Sequence, residues 1–357
     1  MSIQQFKGTY CNVDFGAITE SSFMQLLESY STRKKLILVD ENTQENCLEY
    51  LITSFEQLAN AEVIVVPAGE DSKSLEIAGQ LWEVLLSYEV TKKDLLICLG
   101  GGVVSDLGGF VAATYKRGLS CIFVPTTLLS MVDAAIGGKN GIDFGGIKNA
   151  IGSIVHPEHI FIDPGFLSSL PQQELQSGLG ECVKHALIQG EAQWQSLKDF
   201  LAKEKNSGNL LSNELLWQLI QTKINIVEQD PLEKDLRQVL NLGHTFAHAL
   251  ESHFLQEEKQ MSHGLAVVYG LLIEGHISWQ KGILDKAFYS ELVVVLSSAF
   301  DLTSLTFLDL DKLALFLNQD KKNQENEWRY IALKTPGNYL LNQVFSMSEL
   351  QKALAAF

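Results

Sequence analysis

At 357 residues the chain is longer than a single hydrophobic core usually serves, so two domains are expected. A formal net charge of −16 excludes a surface built to neutralise nucleic-acid phosphates, yet it allows an anionic small substrate met by a few converging cations. A hydrophobic content of 46% with 20% charged residues is that of an ordinary soluble globular enzyme.

The first half alternates strand and helix signals. Lys35 to Val39 reads as a buried strand ending at Asp40, and Ala61 to Val66 as a second, closed by Pro67-Ala68-Gly69. Asp94 to Leu99 runs into Gly100-Gly101-Gly102, and Ser120 to Val124 ends at Pro125. Helical patterns such as Ser74 to Tyr88 separate the first three, which predicts parallel strands with helical crossovers: a doubly wound α/β domain over residues 1–170. Glycines and polar residues fall at the carboxyl ends of the strands, where such sheets bind ligands.

From residue 171 to 357 the strand signals fade. Ser177 to Gln189, Asn213 to Glu228, Leu240 to Phe254, His263 to Lys281 and Met347 to Ala355 read as helices, so an all-helical second domain is expected, with the active site in the cleft between the two. The stretch Leu265 to Ile273 is apolar but too short to span a bilayer. The first residues lack the apolar run of a signal peptide, and the five cysteines have no C-x-x-C spacing. A reducing, cytoplasmic setting is the expectation.

Two glycine-rich segments punctuate the first half. Gly100 to Asp106 follows a strand and opens a helix, where glycines let phosphates approach the backbone N–H groups. It is not the standard dinucleotide fingerprint, because Ser105 takes the third glycine position and no acid follows about twenty residues on; Asp40 can supply the ribose contact instead. The segment from Gly137 to Asn149 is too glycine-dense for a regular element, and its Lys139 and Lys148 suit a substrate loop that presents ammonium groups to an anion.

The second half carries a candidate metal set. His244 and His248 lie four apart in Asn-Leu-Gly-His-Thr-Phe-Ala-His, on one face of a helix; His263 follows in Ser-His-Gly, and Glu181 lies upstream in Gly-Glu-Cys-Val-Lys. Any three of these four groups can hold a divalent ion with one position open to substrate.

Taken in order, Gly69–Lys73, Gly100–Asp106, Tyr115–Gly118, Val124–Leu129, Val132–Lys139, Lys148-Asn149, Gly180–Lys184, Arg237–His248 and Ser262–Gly264 resemble the 3-dehydroquinate synthases of the sugar-phosphate cyclase superfamily, over roughly Asp40 to Lys322. The resemblance implies an NAD-binding first domain and a helical second domain that binds metal and substrate. It assigns zinc or cobalt to Glu181, His244 and His263, and moves His248 to the substrate phosphate. It places Asp40, Asn42, Glu70, Lys73, Gly101, Gly102, Val103, Asp106, Thr126, Thr127, Asp133 and Lys148 on NAD. It places Arg117, Lys139, Asn149, Lys184, Lys223, Arg237, Asn241 and His248 around substrate, with Lys139, Lys184, His248 and Asn149 catalytic, and adds a lysine from Asp320-Lys321-Lys322. A homodimer is implied as well. Asn140, Asp143 and Gln173 depart from the family pattern, which has threonine, asparagine and arginine there.

The implied reaction converts 3-deoxy-D-arabino-heptulosonate 7-phosphate into 3-dehydroquinate and phosphate in the shikimate pathway. It runs by transient oxidation with NAD, β-elimination of phosphate, re-reduction and intramolecular aldol closure. Two neighbouring readings are a cyclase of the 2-deoxy-scyllo-inosose or valiolone type, whose substrates lack the carboxylate, and a metal-dependent polyol dehydrogenase, which releases NADH. Lys223, Arg237, Asn241 and His248 favour the substrate with a carboxylate and a phosphate.

Overall fold

The computed structural model describes residues 3–145, 147–204, 210–257, 261–305, 308–319 and 328–356. It divides into two compact units, Met1–Pro171 with Lys223–Leu232, and Gln172–Thr222 with Glu233–Phe357.

The first unit is built on a seven-stranded sheet. Its strands are β1 (Gln4–Lys7), β2 (Asn12–Phe15), β3 (Lys35–Asp40), β4 (Glu62–Val66), β5 (Leu95–Gly100), β6 (Ser120–Pro125) and, later in the chain, β9 (His159–Ile162). Their order across the sheet is β1-β2-β9-β6-β5-β3-β4, parallel throughout except for the edge pair β1–β2. The central strands are apolar because both faces are covered: every residue of β5 and β9 is buried. Helices α1 (Phe23–Ser29), α2 (Glu41–Asn46), α3 (Leu48–Ser54), α4 (Leu75–Ser87) and α5 (Gly102–Thr114) belong to this unit. From β3 the chain turns one way to β4 and the other way to β5, so the ends of β3 and β5 flank the topological switch point where such sheets take ligands. Asp40 and the Gly100–Gly102 turn stand at those two ends.

The glycine-dense segment after residue 137, expected to be irregular, is instead a hairpin of β7 (Lys139–Phe144) and β8 (Ile147–Ile154). Here glycine serves close pairing: a Cβ on Gly152 would lie 2.3 Å from the carbonyl oxygen of Asn140, so only glycine fits the cross-strand contact.

The second unit packs α6 (Gln172–Gln189), α7 (Glu191–Glu204), the first part of α8 (Asn213–Gln229), α9 (His244–Gln256), α10 (His263–Gln280), α11 (Lys286–Ala299), α12 (Leu310–Gln319) and α13 (Met347–Leu354). Helix α10 is buried along almost its whole length, so it reads as apolar on every side rather than amphipathic. The unit also holds a hairpin that the helical expectation did not include, β10 (Trp328–Thr335) paired with β11 (Asn338–Phe345). Its inner face supplies Trp328, Tyr330, Ala332 and Phe345 to the core beside Phe246, Tyr269 and Ile273. Among the described residues no helix is long and apolar enough to cross a membrane.

Candidate functional site

In the first unit, α5 starts at Gly102 with Gly101 as its N-cap, and no side chain caps it. The first N–H groups of the helix are thus offered to a ligand together with its positive dipole end. The crowding also requires glycine: a Cβ on Gly100 would lie 2.5 Å from the Val104 side chain, and one on Gly101 3.0 Å from Thr127. Val103 lies in the first turn of α5, and Thr126, buried, donates its N–H to the Gly100 carbonyl at 3.0 Å. These features fit a dinucleotide pyrophosphate. Asp40 takes a local task through Oδ1, accepting the N–H and hydroxyl of Thr43, both at 2.7 Å, to cap α2; Asn42 is exposed in the first turn of that helix.

A polar network adjoins this turn. The ammonium of Lys73 is buried and reaches Asp106 at 2.9 Å, Glu70 at 3.5 Å and the amide oxygen of Asn149 at 2.7 Å. Burial alone would lower the Lys73 pKa, but Asp106 and Glu70 outweigh it and raise it above the usual lysine value. Asn149 has a left-handed backbone (φ 50°), and its N–H donates to Asp143 Oδ1 at 2.7 Å. The Asp143 departure therefore holds Asn149 in place. Asn140 is likewise structural, donating to the Gly138 and Val155 carbonyls at 3.0 and 2.8 Å. Gln173 lies in the first turn of α6.

Asp133 lies in a single π-helical turn, Ser130–Ala134, and meets Lys223 through its carboxylate (2.9 Å) and its carbonyl (2.7 Å). Arg117 is exposed and sits in a run of left-handed residues, with φ 49° at Lys116, 64° at Arg117 and 121° at Gly118. Backbone strain of this kind concentrates where a side chain has to be presented. Lys139 and Lys148 are exposed on the hairpin.

The second unit brings together Glu181 of α6, His244 of α9 and His263 of α10. Glu181 Oε1 lies 3.1 Å from His263 Nε2 and 3.4 Å from His244 Nε2, and the three ligand atoms fall within 4.8 Å of one another. Ligand atoms about 2.1 Å from a tetrahedral ion stand roughly 3.4 Å apart, so the spacing and the two-nitrogen, one-carboxylate set fit zinc or cobalt. Burial and the nearby Lys184 ammonium hold His244 well below the usual histidine pKa, which leaves it neutral and ready to ligate. His263 is pushed the other way, to about 10, because Glu181 and Glu251 outweigh its burial. An ion binding there must displace that proton, so occupancy improves as pH rises.

His248 stands edge-on to His244, with ring centroids 5.3 Å apart, but lies outside this ligand group and is exposed. Lys184, buried, pairs with Glu181 one turn away. Arg237 is buried and Asn241 half-buried in the short 3-10 segment Leu236–Asn241; Asn241 donates to Glu233 at 2.6 Å. Lys321 and Lys322 lie outside the described residues.

Each ligand is flanked by a glycine that lets helices touch backbone to backbone. A Cβ on Gly180, beside Glu181, would lie 2.2 Å from the Gly264 carbonyl oxygen, and one on Gly264, beside His263, 1.8 Å from that of Ser177. Gly243, before His244, is left-handed (φ 80°), and a Cβ on Gly270 would lie 1.8 Å from its carbonyl oxygen. The buried carboxylate of Glu274 accepts the Gly243 N–H at 2.8 Å, so it anchors the start of α9 and hence His244. Neither Glu274 nor Glu251 stands out in the sequence, although Glu251, seven residues after His244, repeats the face of α9 that carries the ligand. Gly264→Ala is expected to force α6 and α10 apart, at a cost of about 1–3 kcal/mol, and to weaken zinc binding. Gly79→Ala in α4, where a Cβ meets nothing within 4 Å, should be neutral or stabilising. Thermal unfolding and zinc titration check both; a Gly264→Ala protein with the parent's midpoint and affinity contradicts the account.

Comparison with known proteins identifies the family. Family models described as 3-dehydroquinate synthase N-terminal and C-terminal match residues 63–177 and 178–323. A 3-dehydroquinate synthase of Streptococcus pyogenes serotype M6 is 42% identical over 301 residues, covering 84% of this chain and 83% of the relative. One of Parabacteroides distasonis is 34% identical over 335 residues, 94% of each chain. Among solved structures, a 2-deoxy-scyllo-inosose synthase complexed with carbaglucose-6-phosphate, NAD+ and Co2+ superposes with a TM-score of 0.84 at 23% identity, covering 99% of both chains. The 2-epi-5-epi-valiolone synthase of Streptomyces hygroscopicus subsp. jinggangensis 5008, with NAD+ and Zn2+ bound, gives 0.82 at 23% identity, over 100% of this chain and 99% of that one. These two share the fold; the family models and the closer sequence relatives decide the membership. The chain belongs to the 3-dehydroquinate synthase family.

Proposed function

We propose that this chain converts 3-deoxy-D-arabino-heptulosonate 7-phosphate into 3-dehydroquinate and phosphate, with NAD and a divalent ion, zinc or cobalt, as its cofactors. The observation that carries the reading is the convergence of Glu181 Oε1 on the Nε2 atoms of His244 and His263, in a chain of this family. Bound NAD supplies a hydride acceptor and donor within one turnover, and a bound divalent ion supplies a Lewis acid.

The protein's share is to hold one substrate conformer. Glu181, His244 and His263 would hold the ion, and the uncapped start of α5, with Lys73, Asp106, Thr126, Thr127 and Asp133 around it, would hold NAD. Arg237 would meet the substrate carboxylate. Lys139, Lys184 and His248 would stabilise the charge of the departing phosphate, with Arg117, Asn149, Lys223 and Asn241 completing the contacts. Catalysis here is orientation plus electrostatic stabilisation. A cationic set of this kind suits a substrate carrying two anionic groups. The five buried, unbridged cysteines suit a reducing cytoplasm, and a homodimer is the assembly we propose from the family.

One assay separates this reading from its neighbours. With the heptulosonate phosphate as substrate, phosphate should be released steadily without NADH accumulating. A polyol dehydrogenase would accumulate NADH. A related cyclase would leave the heptulosonate untouched and turn over a sugar phosphate lacking the carboxylate.

A further inference from the structure

Behind His263 lies a second carboxylate. Glu251 Oε2 stands 3.3 Å from His263 Nδ1, while Nε2 of the same ring stands 3.1 Å from Glu181 Oε1. Glu251 is buried, and it is on α9, the helix that also carries His244. A neutral imidazole has one N–H and one lone pair, so its two nitrogens cannot play the same part. A carboxylate at Nδ1 takes the N–H there and leaves the lone pair on Nε2, the atom that faces Glu181 and His244.

We propose that Glu251 is a positioning residue for the metal centre. It accepts the Nδ1 proton of His263, fixes that tautomer and ring orientation, and raises the basicity of the ligating nitrogen. The proposal rests on the reading of Glu181, His244 and His263 as ligands. It adds that α9 contributes twice, with a ligand of its own and with the group that aims the ligand of α10. Partners of this kind orient metal-bound histidines, and their loss commonly costs metal affinity.

The test is metal binding to the stripped full-length protein, with Zn2+ titrated against a competing chelator and Co2+ followed by its visible absorption. Glu251→Ala should lower zinc affinity by about 10- to 100-fold. Glu251→Gln, which keeps an acceptor oxygen but not the charge, should fall between this variant and the parent and should shift the Co2+ band. NAD affinity should not change in either. The proposal is overturned if folded Glu251→Gln and Glu251→Ala proteins both bind zinc within about threefold of the parent, well short of the loss expected for such a partner. Should Glu251→Ala fail to fold, an unaltered affinity and Co2+ spectrum in Glu251→Gln overturns it alone. His263→Ala in the same titration separates the two levels of the argument. If His263→Ala loses zinc while the Glu251 variants keep it, only the proposal fails; if His263→Ala binds zinc like the parent, the ligand assignment fails and the proposal with it.

Discussion

His263→Ala is expected to release the divalent ion and to lower turnover by about a thousandfold or more, while the circular dichroism spectrum stays that of the parent. The magnitude follows from losing the main electrostatic element at the reacting oxygen, where even a single preorganised donor is worth roughly a hundred- to a thousandfold. The fold should survive because His263 is the first residue of α10, and the burial that holds this helix begins just after it. The remaining pair, Glu181 and His244, is 3.4 Å apart but leaves two coordination positions to water. Metal content of the purified variant and the rate of phosphate release are the two measurements. A stripped parent that retains full activity without added ion, or a His263→Ala protein that retains both metal and rate, would refute the ligand assignment.

Much of this site is legible in the amino-acid sequence, because its motifs combine a chemical group with a backbone requirement. Gly-Glu, Gly-His and His-Gly each pair a ligand with a residue that allows a helix to approach another at its backbone, and the 1.8 and 2.2 Å contacts of Gly264 and Gly180 give the reason. The α/β alternation is equally legible, since β3, β5 and β6 are apolar runs ending in turn residues. What the residues conceal is of two kinds. The hairpins β7–β8 and β10–β11 are hidden where glycine density and a short aromatic run mask the period-two pattern; Thr335-Pro336-Gly337-Asn338 between two such runs is the available signal. The groups that support the site, Glu251 and Glu274, are hidden because a buried carboxylate on a helix looks like any other acid until its partner is known. Asp40 shows the converse. Its place at a strand end suggests a ribose contact, and what the structure shows of its carboxylate is a capping role.

Arg237→Lys should be the most damaging conservative change among the proposed substrate contacts. Arg237 is only 2% exposed, in the short 3-10 segment that precedes α9, so its guanidinium is held rather than tethered. A planar fork meets a carboxylate through two parallel N–H bonds; an ammonium on a flexible stem offers one point of charge and leaves the second carboxylate oxygen unserved. Losing one charged hydrogen bond costs about 1.5–3 kcal/mol, which corresponds to roughly a ten- to hundredfold drop in kcat/KM. The positive charge is kept, so the loss reports geometry and not net electrostatics. Zinc content and NAD affinity should remain those of the parent. The discriminating measurement is kcat/KM for the heptulosonate phosphate beside an NAD titration on the same preparation. A parallel loss of NAD binding would show that Arg237 supports the fold, and an unchanged kcat/KM would remove it from the substrate's carboxylate altogether.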